Sequence, residues 1–168
     1  MRPIFRLAAF CLLLAVAPWS HGAGDLRSWS NGPTPRLELT DLAGRTHRLE
    51  DYRGQVVLLN FWATWCGPCL EEMPSIQRLK KKLAGRPFVV LAVNVNEPES
   101  RIRKFLSRLP LDFPVLVDAE GRTTAAWKVR ILPASFLIGR DGRIRYTATG
   151  ELDWGNEQAV GIVSELLP

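Results

Sequence analysis

The sequence predicts an α/β fold: a central mixed β-sheet flanked by helices, with a small β-hairpin added at the N-terminal side. Three observations predict it. Residues 56–61 and 88–95 are long apolar runs of the kind found in strands buried on both faces. Segments with helical periodicity lie between the strand-like runs, and that alternation builds an α/β sheet. Residues 134–138 and 144–149 are apolar runs joined by Gly139-Arg140-Asp141-Gly142, and an Asp-Gly turn between two such runs signals a hairpin. An antiparallel hairpin joined to parallel strands makes the sheet mixed.

The elements follow in chain order. Residues 24–36 are rich in Gly, Ser, Asn and Pro and read as a linker. Residues 37–40 alternate apolar and polar, Ala43-Gly44 marks a turn, and 46–49 return, which gives the added hairpin. After the buried strand at 56–61 comes a helix over 68–84, where Leu70, Met73, Ile76, Leu79 and Leu83 recur at steps of three and four and share one face. Pro74 removes one backbone donor from it. The strand at 88–95 leads to Pro98, expected at the first position of a helix that ends before Pro110. A strand at 115–117, a short helix at 123–127, the hairpin, and a closing helix at 156–166 complete a domain over 37–168.

The chain has 168 residues, 46% hydrophobic and 23% charged, which fits one globular domain plus a leader. Residues 1–23 differ from the rest. Arg2 and Arg6 precede an uncharged apolar run at 7–19, shorter than the roughly 20 residues a bilayer span needs and matched to a secretory signal. A signal peptide cleaved after Gly22 or Ala23, or a retained membrane anchor, is the expectation. Cleavage would take away Cys11 and His21, leaving Cys66, Cys69 and His47. It would also remove Arg2 and Arg6 but no acid, taking the net charge from +5 to +3. The one dense basic run, Lys80-Lys81-Lys82, has no interleaved aromatic residue and reads as a solvated helix face, so no nucleic-acid partner is expected.

Cys66-Gly67-Pro68-Cys69 follows a buried strand and opens a helix. Unpaired N–H groups and partial positive charge at a helix N-terminus favour the thiolate, so Cys66 is the expected reactive thiol. Three other readings compete with a redox pair. A structural disulfide closing so small a loop removes little unfolded-chain entropy. A zinc site needs four ligands, and two thiols with one distant histidine are too few. Two buried apolar cysteines leave the Gly-Pro between them without a purpose.

The segment 60–69, Asn-Phe-Trp-Ala-Thr-Trp-Cys-Gly-Pro-Cys, resembles the active-site segment of thioredoxin-fold proteins. The likeness is closest to the TlpA/ResA-like branch, which includes CcmG (DsbE)-type proteins, and spans about residues 35–150. The resemblance implies a thioredoxin-like fold, thiol–disulfide oxidoreductase activity, and a place in the periplasm or on the outer face of a bacterial cytoplasmic membrane. It implies Cys66 as nucleophile, Cys69 as resolving cysteine, and Cys66–Cys69 as the redox-active disulfide. Glu72 matches an acid three residues past the second cysteine that exchanges protons with it. Glu71 and Glu72 also lie where negative charge balances a helix dipole, and for Glu72 both readings stand. Pro133 matches the cis-proline facing the redox pair. A cis bond there turns the Leu132 backbone toward substrate, while Trp65 forms an apolar rim. Trp62 fits either the site or the core.

Three departures stand out. Asn60 occupies the place of the buried acid of thioredoxins proper, which shifts proton handling toward Glu72 or solvent. Ile131 stands where the branch often has Gly, and Gly139 where it often has Asp. No metal or organic cofactor is implied. Gly-Pro is the pair found in thioredoxin, whose potential is about −270 mV, which favours a reductant. The implied partners are disulfide-bearing exported proteins, apocytochrome c or copper-site proteins among them, and a membrane electron donor for re-reduction. The rival from another class is a copper-binding or delivery module built on the Cys pair. Against it, Met1 and Met73 are the only methionines and no His lies near the motif. A peroxiredoxin is disfavoured because Leu59 and Ala63 hold the positions of its Pro and Thr.

Overall fold

A computed structural model describes residues 25–168. The expected signal or anchor at 1–23 lies outside the described residues. Among the described residues no helix is long and apolar enough to cross a membrane.

The strands are β1 (Arg27–Ser28), β2 (Glu38–Thr40), β3 (Thr46–Arg48), β4 (Val56–Trp62), β5 (Phe88–Val95), β6 (Val115–Asp118), β7 (Ala134–Ile138) and β8 (Ile144–Thr149). The helices are α1 (Gly67–Lys82), α2 (Glu99–Leu106), α3 (Arg122–Ala126) and α4 (Glu157–Glu165). The main sheet has the order β1-β8-β7-β4-β5-β6, and β2 with β3 forms a separate two-stranded hairpin. β4, β5 and β6 run parallel, while β7 and β8 are antiparallel, giving the expected mixed sheet.

All seven residues of β4 are buried, because it lies inside the sheet with an apolar layer on each face. Strand alternation divides its side chains. Val56, Leu58 and Trp62 join the layer that contains Met73, Ile76 and Leu79 of α1. Val57, Leu59 and Phe61 join the opposite layer with Leu37, Trp127 and Phe136. The helix period expected for α1 is present, but Glu72 is buried beside Met73 on the inward side while Leu70 is only partly buried. Trp62 belongs to the core: it is fully buried, with its ring 5.6 Å from that of Phe105. Lys80, Lys81 and Lys82 occupy the last turn of α1, where cations complement the helix dipole.

Two details differ from the sequence expectation. The segment expected as a linker contributes β1, which pairs Arg27 with Thr147 and Ser28 with Tyr146. Trp29 N–H donates to Arg145 O at 2.8 Å, and its ring meets Phe136 edge-on. An open β8 edge offers backbone groups that this stretch can satisfy, and Trp29 supplies the apolar burial that its Gly- and Pro-rich neighbours lack. Pro98 is the N-cap of α2 rather than its first helical residue.

Candidate active site

Parallel β4 ends at Trp62 and the chain passes through Ala63-Thr64-Trp65 into α1, so the helix N-terminus lies at the carboxyl end of the strand. Cys66 is the N-cap of that helix, and its Sγ accepts the Cys69 N–H at 3.3 Å. Cys66 and Cys69 form a disulfide with Cα atoms 5.3 Å apart. Cys69 is 0% exposed and Cys66 5%, so the first cysteine is the one nearer solvent.

The Leu132–Pro133 peptide is cis. β7 pairs antiparallel with β4, Ala134 opposite Phe61, so Pro133 continues that register level with Trp62, just before the redox loop. The geometry therefore sets the cis-proline segment beside the end of β4 that leads into the redox loop. Trp65 and Ile131 are the exposed large hydrophobic side chains among the described residues, at 67% and 61%. One precedes Cys66, the other Leu132-Pro133.

Below the disulfide lies a buried polar network. Glu72 is 2% exposed, whereas Glu71 is exposed. Trp154 Nε1 donates to Glu72 Oε1 at 2.5 Å. Asn60 Nδ2 donates to Glu72 Oε2 at 3.3 Å and to Ser135 Oγ at 2.9 Å. Burial pushes the Glu72 carboxyl up to about 8; the Trp154 and Asn60 hydrogen bonds and one from the Leu152 backbone oppose the rise, and the Glu151 charge adds to it.

A second buried acid, Glu97, holds the approach to Cys66. Asn96 adopts φ 56 at the end of β5, a left-handed conformation that Asn tolerates better than most residues. Gly121 opposite has φ 68, a left-handed conformation that favours glycine, and a Cβ there would lie 2.3 Å from Asn96 Oδ1 and push that side chain aside. Glu97 then accepts Thr64 N–H at 2.7 Å, Thr64 Oγ–H at 2.6 Å and Asn94 Nδ2 at 2.9 Å, with Arg101 3.8 Å away.

The sequence reading missed Glu97 and Trp154. The available signals were weak: an acid just after a buried strand, and a lone Trp in an Asp-Trp-Gly turn. His47, the one histidine among the described residues, is buried and hydrogen-bonded to Asp41 and Tyr52.

The profile of the AhpC/TSA family matches residues 31–147. The chain belongs to the AhpC/TSA family. Within that family it is 43% identical over 155 residues to the thiol-disulfide oxidoreductase ResA of Geobacillus thermodenitrificans, covering 90% of this chain and 89% of the relative. A solved structure described as a thiol:disulfide interchange protein DsbE of Chlorobium tepidum superposes with a TM-score of 0.69 at 31% identity, over 80% of this chain and 92% of that one. An exposed lipoprotein thioredoxin of Streptococcus pneumoniae gives 0.68 at 30% identity, over 78% and 99%. This AhpC/TSA-family protein is thus a thioredoxin-fold thiol–disulfide oxidoreductase with a Cys66–Cys69 disulfide.

Proposed function

We propose that the protein reduces disulfides in exported partner proteins, outside the cytoplasmic membrane, with residues 1–23 serving as signal peptide or anchor. The observation that carries this reading is the placement of Cys66 at the N-cap of α1, nearer solvent than Cys69 and preceded by the exposed Trp65. The thiolate of Cys66 attacks a partner disulfide, forms a mixed disulfide and expels one partner thiolate. Cys69 gives up its proton to Glu72 and attacks Cys66. The second partner thiolate leaves and takes a proton from solvent, and Cys66–Cys69 is oxidised. A membrane electron donor returns the pair to the dithiol. Trp65 and the Leu132 backbone, beside Pro133, form the docking rim. Apocytochrome c and copper-site proteins fit as partners, because both must present reduced cysteines.

Two tests apply. Brief alkylation of the reduced protein labels Cys66 before Cys69; the reverse order would exchange their roles. Cys69→Ser accumulates a mixed disulfide through Cys66 with a disulfide-bearing apocytochrome peptide, and failure to trap it would remove that partner class.

A further inference from the structure

Trp154 lies in the segment between β8 and α4, 82 positions from Glu72, yet it is tied to the same turn of α1 twice. Its indole N–H donates to Glu72 Oε1. Its backbone N–H donates to Ser75 Oγ at 3.1 Å, and that hydroxyl donates to Glu72 O at 2.7 Å. Trp154 is 0% exposed, so its ring position leaves no freedom to the carboxylate it touches. An indole N–H can only donate. The oxygen it occupies is therefore the poorer place for a proton, since an O–H there would face another donor.

The other oxygen differs. Oε2 meets the longer contact from Asn60, whose own Oδ1 is buried without a hydrogen-bond partner. A side-chain amide presents a donor to a carboxylate or, turned over, an acceptor to a carboxylic acid. Ser135, on the far side of Asn60, has a hydroxyl that suits either orientation. The Asn60 side of Glu72 can thus accommodate both protonation states, and the Trp154 side only one.

We propose that Trp154 is a positioning residue for the resolving step: by holding Oε1 it makes Oε2 the oxygen that takes the Cys69 proton. This rests on the reading of Glu72 as the proton carrier. In the step, Cys69 S–H loses its proton to Oε2, the thiolate forms the Cys66–Cys69 bond, and the bond from Cys66 to the partner breaks. Glu72 then releases the proton to solvent. The other groups that act on Glu72 are the Glu151 carboxylate and the Leu152 backbone donor, both from the segment that carries Trp154.

The test is stopped-flow reaction of the reduced protein with a symmetrical aromatic disulfide that releases a coloured thiol twice, once on Cys66 attack and once on resolution. In the wild type the second phase accelerates through an inflection near the Glu72 value of about 8. Trp154→Phe keeps a ring but removes one donor from the carboxylate, and moves that inflection up by about one to two pH units while sparing the first phase. Glu72→Gln abolishes the inflection, and Trp154→Phe adds nothing in the double variant. Ser75→Ala, which frees the Trp154 backbone and leaves every ring in place, moves it in the same direction by less. An inflection unmoved in both Trp154→Phe and Ser75→Ala, but lost in Glu72→Gln, would overturn the proposal and leave Glu72 standing. An inflection retained in Glu72→Gln would remove Glu72 from the mechanism, and Trp154 with it.

Discussion

Two glutamates are buried on either side of the redox loop, and their surroundings are opposite. Glu97 receives three hydrogen bonds of 2.6–2.9 Å and has the Arg101 guanidinium nearby, so its charge is matched by donors. Glu72 receives a short hydrogen bond from an indole, a longer one from an amide and one from the Leu152 backbone, has no cation beside it among the described residues, and faces a like charge on Glu151. A buried carboxylate is stable when donors and cations compensate the lost water; otherwise it holds its proton. The difference teaches that burial alone does not make an acid a proton carrier. Glu97 is an anchor that fixes Thr64, two residues before Cys66. Glu72 has a carboxyl that burial pushes up to about 8, the property its proposed proton-carrying role needs.

The largest effect is expected at Glu97. Glu97→Leu leaves the part-buried Thr64 donors and the buried Asn94 amide without their acceptor and costs about 3–5 kcal/mol in urea unfolding. A loss under about 1 kcal/mol would mean that Glu97 does not anchor Thr64.

Glu72→Gln gives the next largest effect, with a pH dependence of its own. The folded-state value is raised from 4.5 to about 8, so the favourable contribution of Glu72 is complete below its unfolded value and is lost as pH rises through about 8. Wild-type stability therefore declines from about pH 5 to 9 by an amount on the order of 4 kcal/mol from this group. The Gln variant matches the wild type near pH 5 and exceeds it at pH 9. Chemical unfolding at the two pH values checks this; equal stability at pH 9 would mean that Glu72 ionises without penalty.

Thr64→Val removes one of the two Thr64 bonds to Glu97 and keeps the backbone one. It lowers stability by about 1–2 kcal/mol and slows Cys66 attack more than resolution, as the two stopped-flow phases resolve. The smallest effect belongs to Arg101→Ala. Arg101 is 63% exposed and its contact with Glu97 is 3.8 Å, so the loss is under about 1 kcal/mol and shrinks further in salt.

Several elements were legible because their signals are local. The β4 apolar run, the i, i+3, i+4 pattern of α1, the Asp-Gly turn between β7 and β8, and Cys66 at a strand–helix junction each lie within one stretch of chain. β1 was not legible, since Gly, Ser and Pro look alike in a linker and in a short edge strand. Only the open backbone of β8 at Tyr146 and Thr147 makes Arg27 and Ser28 a strand.

The sequence by itself therefore determined the α/β architecture, the redox pair and the identity of Cys66 as helix cap, because periodicity, turn chemistry and motif spacing act between near neighbours. It left Glu72 open between a proton partner of Cys69 and a charge that balances the helix dipole, left Trp62 open between site and core, and was silent on Glu97 and Trp154. Tertiary structure decided their surroundings. Desolvation and hydrogen bonding depend on which groups converge from distant segments: Asn60 from β4, Ser135 from β7 and Trp154 from the segment before α4 surround one carboxylate, while Asn94 and Thr64 surround the other. Sequence patterns record which face a residue occupies, but a buried acid is defined by what meets it there.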